Sequence, residues 1–229
     1  MVAVLALLGG CSQSRDTSAT TAQQAPMSAA PVAGDTVRYL AMGDSLTQGV
    51  GAPDEQTGAF PALLADKWRS AGCQVELSNV GVSGYTAAQV LAEQAPQIES
   101  FRPTLITFQA GGNDIVNAVP IDEYRQNVKT ILDKAKTSGA RVVVLAQNEW
   151  FRSPDGQNYG SDLPAQRDAF DKVLIEEASA HGAEFVDLRA LYKQQADAGQ
   201  WVEDGLHPTP VAYEAWAAQL ATAVPAPCK

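Results

Sequence analysis

The sequence predicts an α/β domain: a five-stranded parallel sheet lying between two layers of helices. Three observations carry this expectation. Short, nearly continuous apolar runs recur along residues 35–229, segments with helical spacing separate them, and the two kinds of segment alternate five times.

Residues 36–42 form the first run, which ends at Gly43 and suits a strand buried on both faces. Phe60, Leu63, Leu64 and Trp68 then recur on one face of a helix. Residues 74–77 make the second strand, and Val90 and Leu91 mark the helix after it. The third strand, 105–108, leads to the most regular helical pattern, Ile121, Tyr124, Val128, Ile131 and Leu132. Residues 141–145 and 184–186 are the last two strands, separated by a helix through Phe170, Val173 and Leu174. A final helix follows Pro208 through Val211, Ala215, Trp216 and Leu220. Parallel strands joined in this way require right-handed crossovers, and their functional groups gather in loops beyond the carboxyl ends of the strands.

A chain of 229 residues suits one substantial domain, and 45% hydrophobic with 18% charged residues excludes disorder over its whole length. Lys plus Arg number 16 and Asp plus Glu 26, a formal charge of −10 spread without runs. Polyphosphate repels such a surface, so nucleic acid is not an expected partner.

At the amino end, residues 2–8 are apolar and are followed by Gly9, Gly10 and Cys11. The run is far shorter than the ~20 residues of a membrane span and reads as the core of a signal peptide over residues 1–10. Leu8-Gly9-Gly10-Cys11 resembles a bacterial lipobox, which implies cleavage before Cys11 and attachment of diacylglycerol to its sulfur. No basic residue precedes the run, Arg15 being the first, so an ordinary signal peptide with an incidental cysteine stays open. Residues 11–34, rich in Ser, Thr, Ala, Gln and Pro, read as a disordered tether. The domain is therefore expected outside the cytoplasm, touching a membrane only through the lipid. With Cys11 set aside, Cys73 and Cys228 remain as an even pair, an expected disulfide with two separate buried thiols as the alternative.

The loop after the first strand reads Gly43-Asp44-Ser45-Leu46-Thr47-Gln48-Gly49. A phosphate-binding loop needs a Lys after its last Gly, where Val50 stands, and the dinucleotide pattern fails because Asp54 occupies the place of the third Gly. The G-x-S-x-G elbow is absent as well. Alone, Ser45 reads equally as a helix cap or a nucleophile. Further blocks stand in later loops: Asn79-Val80-Gly81-Val82-Ser83-Gly84, Gly111-Gly112-Asn113-Asp114 and Asp204-Gly205-Leu206-His207-Pro208.

These four blocks, in this order on this α/β pattern, resemble the SGNH or GDSL hydrolases over essentially the whole domain. Residues 61–68 and 201–208 are similar to the periplasmic thioesterase and lysophospholipase branch. The resemblance implies a flavodoxin-like three-layer fold and a serine esterase acting on an acyl ester or thioester. Ser45 would be the nucleophile, and the backbone N–H groups of Ser45 and Gly81 with the Asn113 amide would form the oxyanion hole.

A serine hydroxyl needs a base, and only His181 and His207 exist to serve. His181 precedes Gly182 at a helix terminus and reads as structural. His207 has Asp204 three residues upstream, a spacing that lets the carboxylate fold back onto Nδ1 and leave Nε2 free. Asp44, Asn79 and Asp114 read as loop scaffolding, and the loop 147–163 as a border of the substrate cleft. Glu176 and Glu177 are expected on different sides of a helix. No metal-ligand spacing occurs, and no cofactor is expected. Two other readings remain: a carbohydrate or peptidoglycan O-acetylesterase with the same triad, and a surface lipoprotein with a dead site.

Overall fold

A computed structural model describes residues 36–228. Its strands are β1 (Val37–Gly43), β2 (Val75–Asn79), β3 (Leu105–Gln109), β4 (Arg141–Leu145) and β5 (Glu184–Val186). They form one parallel sheet in the order β2-β1-β3-β4-β5, and every strand expected from the sequence is present. Between β1 and β2 lie α1 (Ser45–Gln48), α2 (Glu55–Gly58) and α3 (Phe60–Ser70). The next crossover holds α4 (Ala87–Gln89), a π-turn at Val90–Gln94 and α5 (Gln97–Phe101). Then come α6 (Gly112–Val116) and α7 (Ile121–Thr137) before β4, α8 (Leu163–His181) before β5, and α9 (Arg189–Asp197) and α10 (Pro210–Ala223) at the end.

The two-residue period of β1 divides the core between two faces. Val37, Tyr39 and Ala41 pack on Trp68 of α3, Tyr192 of α9, and Trp216 and Leu220 of α10. Leu40 and Met42 point the other way, toward Val128 and Ile131 of α7 and Phe170 and Val173 of α8. Each large side chain fully buried in these layers contributes roughly 1.5–3 kcal/mol. Trp216 is enclosed by the rings of Tyr192 and Tyr213, with centroids 4.7 and 5.1 Å away.

The expected disulfide is present: Cys73, just after α3, is bonded to Cys228, beyond α10, with Cα atoms 5.5 Å apart. Trp68 fastens the same tail by donating its indole N–H to Val224 O at 3.1 Å. Cys11, the signal peptide and the tether lie outside the described residues. Among the described residues, no helix is long and apolar enough to cross a membrane.

The sequence reading does not mark α9, which buries Tyr192 and Gln195, and one expectation needs correction. Glu176 and Glu177 do not face apart: both reach Arg125, at 2.7 and 2.8 Å, because one guanidinium fork spans neighbouring helix positions.

Candidate active site

The sheet order reverses direction between β1 and β3, because the chain leaves β1 for one edge and returns to continue on the other side. Ligand sites of open parallel sheets lie at such a switch point. The loop after β1 brings Ser45 to it and the loop after β3 brings Asn113.

Ser45 is the first residue of α1, and Asp44 caps that helix by accepting the Leu46 N–H at 3.0 Å. Gly43 is held by Gln94, whose Oε1 accepts the Gly43 N–H at 2.8 Å while its Nε2 donates to Gly43 O, also at 2.8 Å. This buried amide fixes the end of β1 immediately before the serine. Asp114 accepts the Ala87 N–H through both oxygens, at 3.1 and 3.0 Å. Burial raises the Asp44 carboxyl to about 7 against the pull of the Leu46 N–H, with the charge of Asp114 adding to the rise. Burial likewise raises Asp114, to about 6. Asp44, Asn79 and Asp114 all make the side-chain to backbone bonds expected of scaffolding.

Gly81 does not stand where the sequence reading placed it. Its N–H donates to Asn79 Oδ1 at 3.1 Å, and a Cβ there would lie 2.4 Å from Gln48 N. The missing side chain lets the loop after β2 close onto α1. Three residues on, Gly84 has a left-handed φ of +82° with open space around it, and its N–H donates to no acceptor among the described residues. Its neighbour Tyr85 accepts the Asn113 Nδ2–H at 3.0 Å, which leaves the second hydrogen of that amide uncommitted.

The fourth block forms a narrow loop closed by a bridge between Trp201 and Pro208, with Val202 N–H on His207 O at 2.9 Å. Within it, His207 Nδ1 and Asp204 Oδ2 are 2.6 Å apart. Asp204 Oδ1 also accepts the N–H groups of Leu206 and His207 at 2.8 and 2.9 Å. Burial works to raise the Asp204 carboxyl, but these backbone bonds and the imidazole outweigh it and hold it below the ordinary value. With Nδ1–H given to the carboxylate, Nε2 is the acceptor. His181 is engaged elsewhere, through Nδ1 with Glu177 O at 2.6 Å and through Nε2 with Asp133 at 3.1 Å.

Ser45, Asn113 and His207 line one cleft of about 90 Å³, and Asp204 stands behind the histidine. The loop 147–163 borders the cleft as expected, contributing Gln147, Asn148, Trp150 and Tyr159. That loop is held by Arg167 on Glu149 at 2.6 Å, and by Asp155 N–H on Gly205 O at 2.8 Å, which joins it to the histidine loop. Sequence reasoning missed Gln94, Gln109 and Asn148. No local pattern marks any of them, and only the fold reveals what each faces.

The model of the GDSL-like Lipase/Acylhydrolase family matches residues 41–215. An arylesterase from Vibrio mimicus is 28% identical over 184 residues, 80% of this chain and 85% of that protein. The thioesterase 1/protease 1/lysophospholipase L1 of Escherichia coli K12 is 29% identical over 177 residues, 77% and 76% of the two chains. A crystal structure of TesA superposes with a TM-score of 0.69 at 26% identity, covering 84% of this chain and 99% of that one.

Proposed function

The chain belongs to the GDSL-like lipase/acylhydrolase family and is an enzyme of the esterase class, and from that premise we propose that Ser45, His207 and Asp204 hydrolyse an acyl ester or thioester through an acyl-enzyme. The observation that carries this reading is the Asp204–His207 pair at 2.6 Å, facing the cleft that Ser45 and Asn113 share. His207 Nε2 takes the proton of Ser45 Oγ as the oxygen attacks the carbonyl carbon. Asp204 holds the tautomer and steadies the imidazolium. His207 then returns the proton to the leaving alcohol or thiol, and water repeats the sequence to free the acid. The oxyanion receives the Ser45 and Gly84 N–H groups and the free Asn113 hydrogen, Gly84 replacing Gly81 because the Gly81 N–H is already bonded.

The names of the relatives support both ester and thioester chemistry. A fluorophosphonate probe should label Ser45. Ser45→Ala and His207→Ala should each lower kcat by roughly 10⁴-fold or more, and the double variant should be little worse. A Ser45→Ala enzyme keeping a tenth of wild-type activity overturns the assignment, and a wild-type protein that takes no label belongs to the dead-site reading.

The enzyme works outside the cytoplasm, held to a membrane through a lipid on Cys11. The Cys73–Cys228 bond supports an oxidising compartment. Mass spectrometry of the mature protein tests this, and an amino-terminal Cys11 without lipid refutes the anchor.

A further inference from the structure

The donors assigned to the oxyanion come from two separate pieces of chain, Gly84 in the loop after β2 and Asn113 in the loop after β3. Two links join these loops. Asn113 Nδ2–H donates to Tyr85 O at 3.0 Å, and the Ala87 N–H is shared by the two carboxylate oxygens of Asp114 at 3.1 and 3.0 Å. Among the described residues the two loops share no other hydrogen bond. The first loop is also fastened within its own crossover, the Tyr85 hydroxyl donating to Glu93 and the Thr86 N–H to Gln89 Oε1.

The two links differ in what they can fix. An amide with one hydrogen on Tyr85 O has its other hydrogen aimed by that same bond, so the free donor of Asn113 is placed only as well as Tyr85 is placed. That bond turns with the Asn113 side chain and cannot set the position by itself. Asp114 is the next residue along, is 0% exposed, and grips the backbone N–H two residues beyond Tyr85. A carboxylate straddling one N–H makes a charge-assisted bond, roughly twice as strong as a neutral one. Burial raises the Asp114 carboxyl to about 6, and only the N–H groups of Ala87 and of Asp114 itself act against the rise. A hydroxyl or an amide would accept from Ala87 without a buried charge, so the carboxylate gives up stability for a firmer link.

Building on the Ser45 reading, we infer that Asp114 is the positioning residue of the oxyanion hole: by holding Ala87 it keeps Tyr85 O where it directs the free Asn113 hydrogen at the developing charge. Asp114 touches no reacting atom and acts through Asn113. Slackening the link lets the amide turn, and a donor misplaced by about 1 Å loses up to roughly 10²-fold in rate.

Asp114→Ala should lower kcat by about 10- to 100-fold with KM nearly unchanged, and Asp114→Asn, which keeps one acceptor for Ala87, should recover part of the loss. A double-variant cycle with Asn113→Ala separates positioning from general support of the fold. With Asn113→Ala already present, Asp114→Ala should lower kcat by no more than about threefold, because the group it aims is gone. The proteins of the cycle are assayed on p-nitrophenyl butanoate at a temperature below every Tm. An equal fall in both backgrounds overturns the inference, and so does an unchanged kcat in the single variant. Should Asp114→Ala fail to fold, Asp114→Asn runs the same cycle and is judged in the same way. A wild-type protein that turns over no ester strikes the Ser45 reading itself, a result distinct from turnover with additive losses.

Discussion

Replacing Gln94 by Leu tests whether the amide clamp at the end of β1 holds the nucleophile in place. The change keeps side-chain size and removes both bonds to Gly43, each 2.8 Å long, at a site where Gln94 is 2% exposed. One donor and one acceptor of the backbone are left buried without partners, at about 1–3 kcal/mol each. Burying Leu in place of an amide offsets part of this, so the net loss should be about 2–4 kcal/mol. For a domain of this size 1 kcal/mol moves Tm by about 2–4 °C, and the variant should melt roughly 5–15 °C lower. Because Gly43 stands two residues before Ser45, kcat should fall about 10- to 100-fold with KM little changed. Thermal unfolding by circular dichroism and steady-state kinetics on one chromogenic ester measure both. Gln94→Glu adds a readout that simple loss of packing does not move. Ionised, the new carboxylate accepts the Gly43 N–H but sets its second oxygen against Gly43 O; protonated, it can donate there. Its folded pKa is therefore raised above the unfolded one, so its stabilisation is present at low pH and lost as pH rises through the folded value. The Tm deficit of Gln94→Glu should widen between pH 4 and pH 8. A Gln94→Leu enzyme melting within 2 °C of wild type, with kcat within twofold, refutes the clamp.

Asn113→Ala should lower kcat by about 10²- to 10³-fold at nearly constant KM, as loss of a donor to developing charge demands, whereas a rise in KM alone makes Asn113 a substrate-positioning residue. Asp44, Asp114 and Asp171 have carboxyls raised by burial to about 7, 6 and 6, so the folded protein binds more protons than the unfolded chain between about pH 4 and 7. Stability should fall as pH rises through that window, and Asp44→Asn, which keeps an acceptor for Leu46, should fall less; parallel Tm profiles for the two proteins contradict this. Reducing the Cys73–Cys228 bond closes no new contact but frees the unfolded chain, and should cost about 2–5 kcal/mol while activity at 25 °C persists. Inactivation by reductant at a temperature where the protein stays folded would tie the bond to the site instead.

Strands β1, β3 and β4 were legible because each is a nearly continuous apolar run, the pattern of a buried parallel strand. His207 and Asp204 were legible because they stand three positions apart, so their pairing is local and survives any error in the fold. Gly81 misled because a missing Cβ announces close approach without naming the partner, and the partner is α1. Gln94 reaches Gly43 across 51 residues, and no local pattern records a contact of that range. The cleft wall was hidden for the same reason: Gln109 ends β3 while Gln147 and Asn148 follow β4, and they meet only once those strands lie side by side.

The bond between Cys73 and Cys228 also sets an order of events during synthesis. Cys73 emerges 155 residues ahead of its partner, which at about 5–20 residues per second is a wait of roughly 8–30 s. Until Cys228 follows, Cys73 is a lone thiol, open to capture by any other disulfide once the chain meets an oxidising compartment. In the folded protein α10 packs on α3 and the tail runs past Trp68, which brings the partner sulfur to Cys73. Closure of this bond is thus the molecule's own record that its last helix has found its place, and a persistent free thiol at Cys73 marks the chains in which it has not.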